Sequence, residues 1–281
     1  MSAPVTGRVR APLARLLRSE LRWVLRRPRT QVALGLLAAV PVLIGIGIVV
    51  SDSEAGGSGL LTQIAGNGLV LPVATLSICL ALLLPLAVTM AAADALAGES
   101  AHGTLRGLLL APVSRTRLVL VKAVGVLAVA VAAVAAVAVL GVVTGLMLVG
   151  SAEGTNGLLT LSGTEVGPGS AMLRVSLAAA WTVGQLAAIG AIALAVSSAT
   201  DHPLVVLAAV LGGLIVFGVL SAIPALDWLQ PALLTTGWSA IADVLRDPLP
   251  LDGLASSSVR AGCYLLLGLA LTLARTATRE A

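Results

Sequence analysis

Charged residues are scarce in this sequence. Only 11% of its 281 residues are Asp, Glu, Lys or Arg, whereas 58% are hydrophobic and the mean hydropathy is +1.05. Soluble domains carry about 25% charged residues, so the composition excludes a soluble domain. Aromatic residues contribute only 2%, which argues against a membrane β-barrel, because barrel strands alternate apolar and polar residues between aromatic girdles. The sequence therefore predicts an all-α integral membrane protein.

Residues that build active sites are equally scarce. Cys79 and Cys263 lie far apart in apolar runs, and His102 and His202 are also isolated, so no metal-ligand cluster is expected. Lys122 is the single lysine, and no Gly-x-x-x-x-Gly-Lys-Ser/Thr, His-Glu-x-x-His or Gly-x-Ser-x-Gly motif occurs. We therefore expect no catalytic residue, metal or cofactor on this chain, no enzymatic activity of its own and no nucleic-acid partner.

Long uncharged runs make up most of the sequence. About 20 apolar residues in a helix cross a bilayer, and the sequence predicts six spans, at about 30–50, 69–94, 118–149, 174–198, 203–223 and 257–275. The sixth has the shortest uncharged run, but Arg260 and Arg275 at its ends can snorkel outward. The first apolar run is too long for a cleaved signal peptide. We expect residues 30–281 to form one six-span domain, preceded by a cytosolic segment at 1–29.

Basic residues set the expected orientation. With the N-terminus inside, 14 of the 17 Lys and Arg residues fall on the cytosolic side, so the positive-inside rule predicts that both termini are cytosolic. The uncharged stretch 228–242 is too short and too polar to cross. It is predicted to form a helical stretch outside, lying at or dipping into the interface, with Trp228 and Trp238 at headgroup depth.

The segment before the first span has the pattern of a basic amphipathic helix. On a 3.6-residue repeat, five basic residues lie opposite five apolar ones: Arg15, Arg18, Arg22, Arg26 and Arg29 against Leu13, Leu16, Leu17, Leu21 and Val24. Such a helix lies on the cytosolic membrane surface, either as a topology anchor alone or as part of a functional contact. Glu20 lies on the apolar face, where an unpaired carboxylate is costly. We expect Glu20 to meet a basic group on another helix or on a partner protein.

The segment between the second and third spans is the most specific part of the sequence. Gly103 is expected to break the preceding helix, Thr104 to cap a short new one and Pro112 to end it, before Ser114 caps the third span. The apolar stripe of this short helix consists of Leu105, Leu108 and Leu109. A short amphipathic helix between two long spans suits contact with a soluble partner; the alternative is an ordinary solvated hairpin.

Within the spans, small residues and prolines are the main features. Gly141 and Gly145 form a GxxxG pair, which predicts close helix packing, either within one subunit or between two. Pro41, Pro72 and Pro85 can kink their helices, although a kink alone does not identify a pathway. No span carries a pair of ionisable residues at its centre, which disfavours a carrier coupled to protons or sodium.

The run from Glu99 to Lys122 resembles the signature of ABC-2 type ABC transporter permeases, in the bacterial branch whose membrane subunit is separate from its ATPase. The resemblance rests on Glu99, Gly103-Thr104-Leu105, Leu108-Leu109, Pro112-Val113-Ser114-Arg115 and Lys122. The basic helix with Glu20, the six-span layout and the external stretch are also similar to that family, so the resemblance covers nearly the whole chain. Val121 departs from the pattern, because the family commonly has glycine before this lysine.

The resemblance implies a permease subunit of an exporter in the bacterial cytoplasmic membrane. Residues 104–111 would then belong to the coupling element that contacts the nucleotide-binding subunit, and the basic helix would be the connecting helix beside it. ATP and Mg would bind to the partner ATPase, and membrane lipids and a second copy or a related permease would complete the assembly. Two alternatives stay open: a secondary transporter or channel that needs no ATPase, and a membrane scaffold that transports nothing.

Overall fold

Helices account for almost all of the chain that the structure describes. This computed structural model describes residues 13–52, 67–101, 114–150 and 158–278. The α-helices are α1 (Leu13–Arg26), α2 (Pro28–Asp52), α3 (Leu71–Ala81), α4 (Leu83–Ala93), α5 (Arg115–Thr144), α6 (Pro168–Ser197), α7 (Pro203–Ser221) and α8 (Asp252–Thr278). A helical turn at Glu99–Ala101, 3₁₀ segments at Gly68–Val70, Pro224–Leu226 and Thr235–Leu245, and π-helical turns at Asp94–Gly98 and Gly145–Val149 complete the helical structure. Two short antiparallel strands, β1 (Leu158–Leu159) and β2 (Glu165–Val166), pair Leu158 with Val166.

The predicted all-α membrane fold is confirmed. Within the described ranges, five helices are long and apolar enough to cross a membrane, and a sixth is added if two segments bent by 54° form one span. We number them in chain order: span 1 (Pro28–Val50), span 2 (Gly68–Ala81 with Leu83–Gly98), span 3 (Arg115–Val149), span 4 (Pro168–Ser197), span 5 (Pro203–Ser221) and span 6 (Asp252–Thr278). Span 6 is longer than the predicted 257–275, since its helix runs from Asp252 to Thr278.

Span 4 is the central helix of the bundle. It packs against spans 2, 3, 5 and 6, and it is the most buried of the five unbroken spans, whereas spans 1 and 5 are mostly exposed. Its tightest neighbour is span 6, where Gly268 lies directly against the backbone of Ala191. Trp181 of span 4 donates its indole N–H to the hydroxyl of Ser257 in span 6 at 3.1 Å. The core is therefore built around one apolar helix that touches nearly every other.

The GxxxG pair brings span 3 against the start of span 2 in the same chain. A Cβ added at Gly141 would lie 2.7 Å from Cα of Pro72, and one added at Gly145 would overlap the carbonyl of Gly68. The N–H of Gly68 also donates to the carbonyl of Gly150 at 3.0 Å. Of the two arrangements that the sequence left open, the described chain therefore uses these glycines for contact within one subunit.

One end of the bundle, which we call the basic end, holds Arg27 and Arg29 at the start of span 1 and Arg115 at the start of span 3, beside the end of span 6. At the opposite end, the 3₁₀ segment Thr235–Leu245 packs on spans 2, 4, 5 and 6. The predicted stretch 228–242 is helical only from Thr235, and this 3₁₀ segment extends past residue 242. Arg260, which interrupts the apolar sequence of span 6, donates to the carbonyl of Leu233 at 2.7 Å and to the hydroxyl of Thr236 at 2.6 Å. These bonds hold its guanidinium and allow the helix to continue through it.

The close contact at Gly145 gives a first prediction. Gly145→Ala places a methyl group against the backbone of Gly68, which cannot rotate away, so spans 2 and 3 must separate. Such overpacking costs about 1–3 kcal/mol, and we expect a lower thermal unfolding midpoint in detergent. The matched control is Gly184→Ala in span 4, where an added Cβ meets nothing within 4 Å. Equal unfolding midpoints for the two variants would contradict this packing.

Candidate functional site

The candidate site lies at the basic end, where α1 packs against span 3. The α5 helix begins after Ser114, whose hydroxyl accepts from the N–H of Arg117 at 3.4 Å, as the sequence predicted. Two turns into this helix, Lys122 faces inward and only 3% of its side chain is exposed. An ammonium group buried to this extent is costly unless it is paired. Lys122 therefore requires neighbours of opposite charge.

Lys122 is paired with two carboxylates from two other parts of the chain. Its Nζ atom lies 2.5 Å from Oε1 of Glu99, just beyond the end of span 2, and 3.0 Å from Oε1 of Glu20 in α1. The side chains of Glu20 and Glu99 are 14% and 10% exposed. We call Glu20, Glu99 and Lys122 the triad. It joins α1, the end of span 2 and the start of span 3, and Lys122 is the basic group that the sequence predicted for Glu20.

A small residue gives α1 room to reach Lys122. Gly125 lies three residues after Lys122 and so on the same face of the helix. A Cβ added at Gly125 would lie 3.3 Å from Cγ of Glu20 and 3.6 Å from Cγ2 of Val24. Val24 is buried in this contact, while Arg15, Arg18, Arg22 and Arg26 are exposed. The apolar face of α1 therefore packs against the bundle with the arginines outward, whereas the sequence predicted a helix lying on the membrane surface.

The electrostatic balance of the triad is negative, because one ammonium group serves two carboxylates. Burial raises the pKa of the Glu99 carboxyl, while the Lys122 ammonium and its hydrogen bond act in the opposite direction. The charge of Glu20 raises it further. Two carboxylates of like charge can share this position only while Lys122 stays between them. Lys122 is therefore the residue on which the arrangement depends.

A second ion pair reinforces the same contact. Asp94, at the end of span 2, lies 2.8 Å from Nη1 of Arg27 and 3.8 Å from Nη1 of Arg29. The guanidinium carbon of Arg27 lies 3.5 Å from the ring centroid of Trp23, and Nζ of Lys122 lies 5.4 Å from the same centroid. Trp23 thus stands between the two ion pairs, in a geometry that favours cations over its face.

The end of span 2 is also fixed to span 4. Residues Asp94–Gly98 form a π-helical turn, a feature often found at functional positions. The N–H of Ala97 donates to the hydroxyl of Ser197 at 3.0 Å, and this hydroxyl donates to the carbonyl of Ala93 at 3.3 Å. Ser197 therefore satisfies backbone groups that the irregular turn exposes. It also connects the triad's end of span 2 to the central helix.

Part of the predicted coupling segment lies outside the described residues. These are Gly103, Thr104, Leu105, Leu108, Leu109 and Pro112, together with the rest of 102–113. Of the remaining members, Glu99 and Lys122 belong to the triad. Arg115 lies at the start of span 3 and donates to the carbonyls of Thr276 and Ala277 at 2.8 and 2.6 Å. Arg115 thus connects the start of span 3 to the end of span 6.

Several contacts at the site were not predicted from the sequence. The sequence patterns indicate no partner for Asp94 and no contact of Arg27, Trp23 or Ser197 at this site. The distance along the chain from Arg27 to Asp94 left no local signal for their pairing.

The triad gives a second prediction. Lys122→Met keeps the length of the side chain but leaves two buried carboxylates facing each other, and removing one partner from a buried ion pair costs about 3–5 kcal/mol. We expect a much lower unfolding midpoint than for Arg22→Met, which removes an exposed cation from α1. Adding Glu20→Gln to Lys122→Met should recover part of the loss, because one of the two repelling charges disappears. Lys122→Met and Arg22→Met of equal stability would contradict the triad.

Comparison with known proteins identifies the family of this chain. Among the described residues, no group of three or more His, Cys, Asp or Glu is arranged to hold a metal ion. No curated protein matches the chain. The profile of the ABC-2 family transporter proteins matches residues 16–238, a region that holds the whole triad, the segment between spans 2 and 3 and the first five spans. The chain therefore belongs to the ABC-2 family of transporters and is the multi-pass permease component of an ABC transporter.

Proposed function

We propose that this permease is driven by a separate ATPase, which docks at the basic end and pushes on the segment between spans 2 and 3. The basic end then faces the cytosol of a bacterial cell, with both termini on that side of the cytoplasmic membrane. The excess of arginine at this end supports the orientation. The family supports an ATPase partner in general terms. Export, as the direction of transport, follows from the resemblance of the run Glu99 to Lys122.

The observation that carries the proposal is the position of the triad around residues 102–113. Glu99 precedes this segment and Lys122 follows it, so their ion pair closes the base of the segment. Glu20 adds α1 to the same base. A force applied to the segment is therefore applied to spans 2 and 3 and α1 together. Separate flexible attachments would instead absorb such a force locally.

The energy for transport enters mechanically in this proposal. The chain carries no phosphate-binding loop, so ATP and Mg belong to the ATPase, and this subunit acts without catalysis of its own. Closure of the ATPases moves the ends of spans 2 and 3, and the contacts of span 4 with both spans pass the movement into the bundle. Two permeases, either two copies of this chain or this chain with a related one, enclose the pathway.

The test is recovery of the ATPase. Affinity purification of the tagged chain from native membranes in mild detergent should bring down, in equal amount, a protein with a Gly-x-x-x-x-Gly-Lys-Ser/Thr loop. Leu108→Asp or Leu109→Asp should abolish this recovery, because a charge then interrupts the apolar stripe predicted to contact the ATPase. Leu251→Asp is the control, since Leu251 is exposed at the opposite end of the bundle.

Two results would contradict the proposal. One is a chain that is purified intact and active in transport without any nucleotide-binding partner. The other is ATPase recovery that is lost with Leu251→Asp but retained with Leu108→Asp, which would place the docking surface at the wrong end.

A further inference from the structure

A polar cavity lies at the end of the bundle opposite the basic end. Its volume is about 560 Å³, which falls within the range of small-molecule sites, roughly 300–1,000 Å³. Its walls come from three parts of the chain: residues 227–231 after span 5, the 3₁₀ segment Thr235–Leu245 and the first turns of span 6. Side chains that are distant in the sequence therefore surround one space and can act on one ligand.

Two glycines in the wall of this cavity allow the 3₁₀ segment to lie against span 6. A Cβ added at Gly237 would lie 2.6 Å from Cβ of Ser257 and 3.4 Å from Nη1 of Arg260. A Cβ added at Gly253 would lie 2.9 Å from Oδ2 of Asp243. A side chain at either position would therefore displace a charged group of the wall, and glycine leaves both charged groups in place.

The charges that line the cavity balance, but they are not all paired. The four charged side chains of the wall are Asp227, Asp243, Arg246 and Arg260. Nε of Arg246 lies 3.5 Å from Oδ1 of Asp243, so these two neutralise each other. Among the residues that the structure describes, Asp227 and Arg260 form no ion pair, and Asp227 accepts only from the amide of Gln230 at 2.9 Å. The cavity therefore presents one uncompensated carboxylate and one uncompensated guanidinium.

The guanidinium of Arg260 is held with one edge unoccupied. Arg260 is half-buried two turns into span 6, a position where a charge is costly unless it is functional or paired. Nη1 makes both of its hydrogen bonds, to the carbonyl of Leu233 and the hydroxyl of Thr236. Nε and Nη2 make no hydrogen bond within the described part of the chain. These two nitrogens offer parallel N–H donors of the kind that bind a phosphate or a carboxylate, so Arg260 is positioned to receive an anion.

We propose that this cavity binds a zwitterion, with a phosphate group on Arg260 and an ammonium group on Asp227. A ligand with a single charge is attracted by one of these residues and repelled by the other, whereas a zwitterion matches both. Trp228, next to Asp227, is 76% exposed, and tryptophan is enriched at the depth of lipid headgroups, where phosphate is the common anion. Phosphoethanolamine has this chemistry, either as a lipid headgroup or as a free solute.

The test measures binding to the full chain, purified in mild detergent with any subunit that accompanies it. In one arm, O-phosphoethanolamine, inorganic phosphate and ethanolamine are titrated, and the shift of the thermal unfolding midpoint gives their affinities. In the other arm, native mass spectrometry compares the retention of phosphatidylethanolamine and phosphatidylglycerol, which share the phosphate but differ in the ammonium group. We expect the ligand that carries both charges to bind about 10-fold more tightly, because it gains a second charge-assisted contact.

Asp227→Asn is the decisive variant, because Asp227 is exposed and Asn keeps its shape without its charge. The variant should lose the preference for the ligand with an ammonium group and still bind inorganic phosphate. Asp252→Asn is the matched control, since it removes an exposed carboxylate at the same end of the bundle but outside the wall of the cavity. Arg260→Lys keeps the positive charge but removes the paired donors, so it should weaken every ligand that carries a phosphate.

The two arms distinguish the sources of the ligand. A preference shown by the soluble ligands means that a free solute can occupy the site, and a preference confined to the lipids means that the occupant is a headgroup. In both cases, its loss in Asp227→Asn but not in Asp252→Asn supports the site. Equal binding within both arms, or a preference that survives Asp227→Asn, would overturn the inference. Recovery of an ATPase with the chain does not depend on this cavity, so the inference and the proposed function can fail separately.

Discussion

One buried ammonium group shared by two carboxylates closes the base of the segment between spans 2 and 3, where we propose that the ATPase acts. Lys122 lies between Glu20 and Glu99, and these three residues come from α1, the end of span 2 and the start of span 3. Surface ion pairs contribute little, but removing one partner from a buried pair leaves an uncompensated charge. The three elements are therefore constrained to keep their relative positions whenever the segment between spans 2 and 3 is displaced.

The rest of the bundle is suited to passing on such a displacement. Span 3 meets the start of span 2 through Gly141 and Gly145, and span 4 meets span 6 through Gly268, so backbones touch without flexible side chains between them. Such contacts transmit movement because packed interiors resist compression. Span 2 differs from the other spans, because its helix is broken at Leu82, where its two halves meet. In the proposed mechanism, motion at the basic end would therefore reach span 2 at this break.

The fold could be predicted from the sequence to a large extent, and the site only in part. Long uncharged runs and the arginine stripe of α1 are local patterns, so the helices and the inward position of Glu20 followed from spacing alone. The partner of Glu20 did not, because Lys122 is 102 residues away and its pairing depends on how two helices cross. Pro85 indicated a kink, but only the packing of span 2 determined that the break at Leu82 faces outward. The hydrogen bonds of Arg260 to Leu233 and Thr236 were not predicted either, because they join distant elements.

The central claim is that the triad makes α1 and span 3 move as one body. Electron–electron double resonance on the assembled transporter tests this joint movement. It measures the distance between spin labels at Arg18→Cys and Thr116→Cys, in a chain whose natural cysteines are replaced. A single narrow distance distribution that is the same with and without ATP, and that broadens when Lys122→Met is added, is the predicted result. A distance that shifts on ATP binding while Lys122 is present would contradict the account.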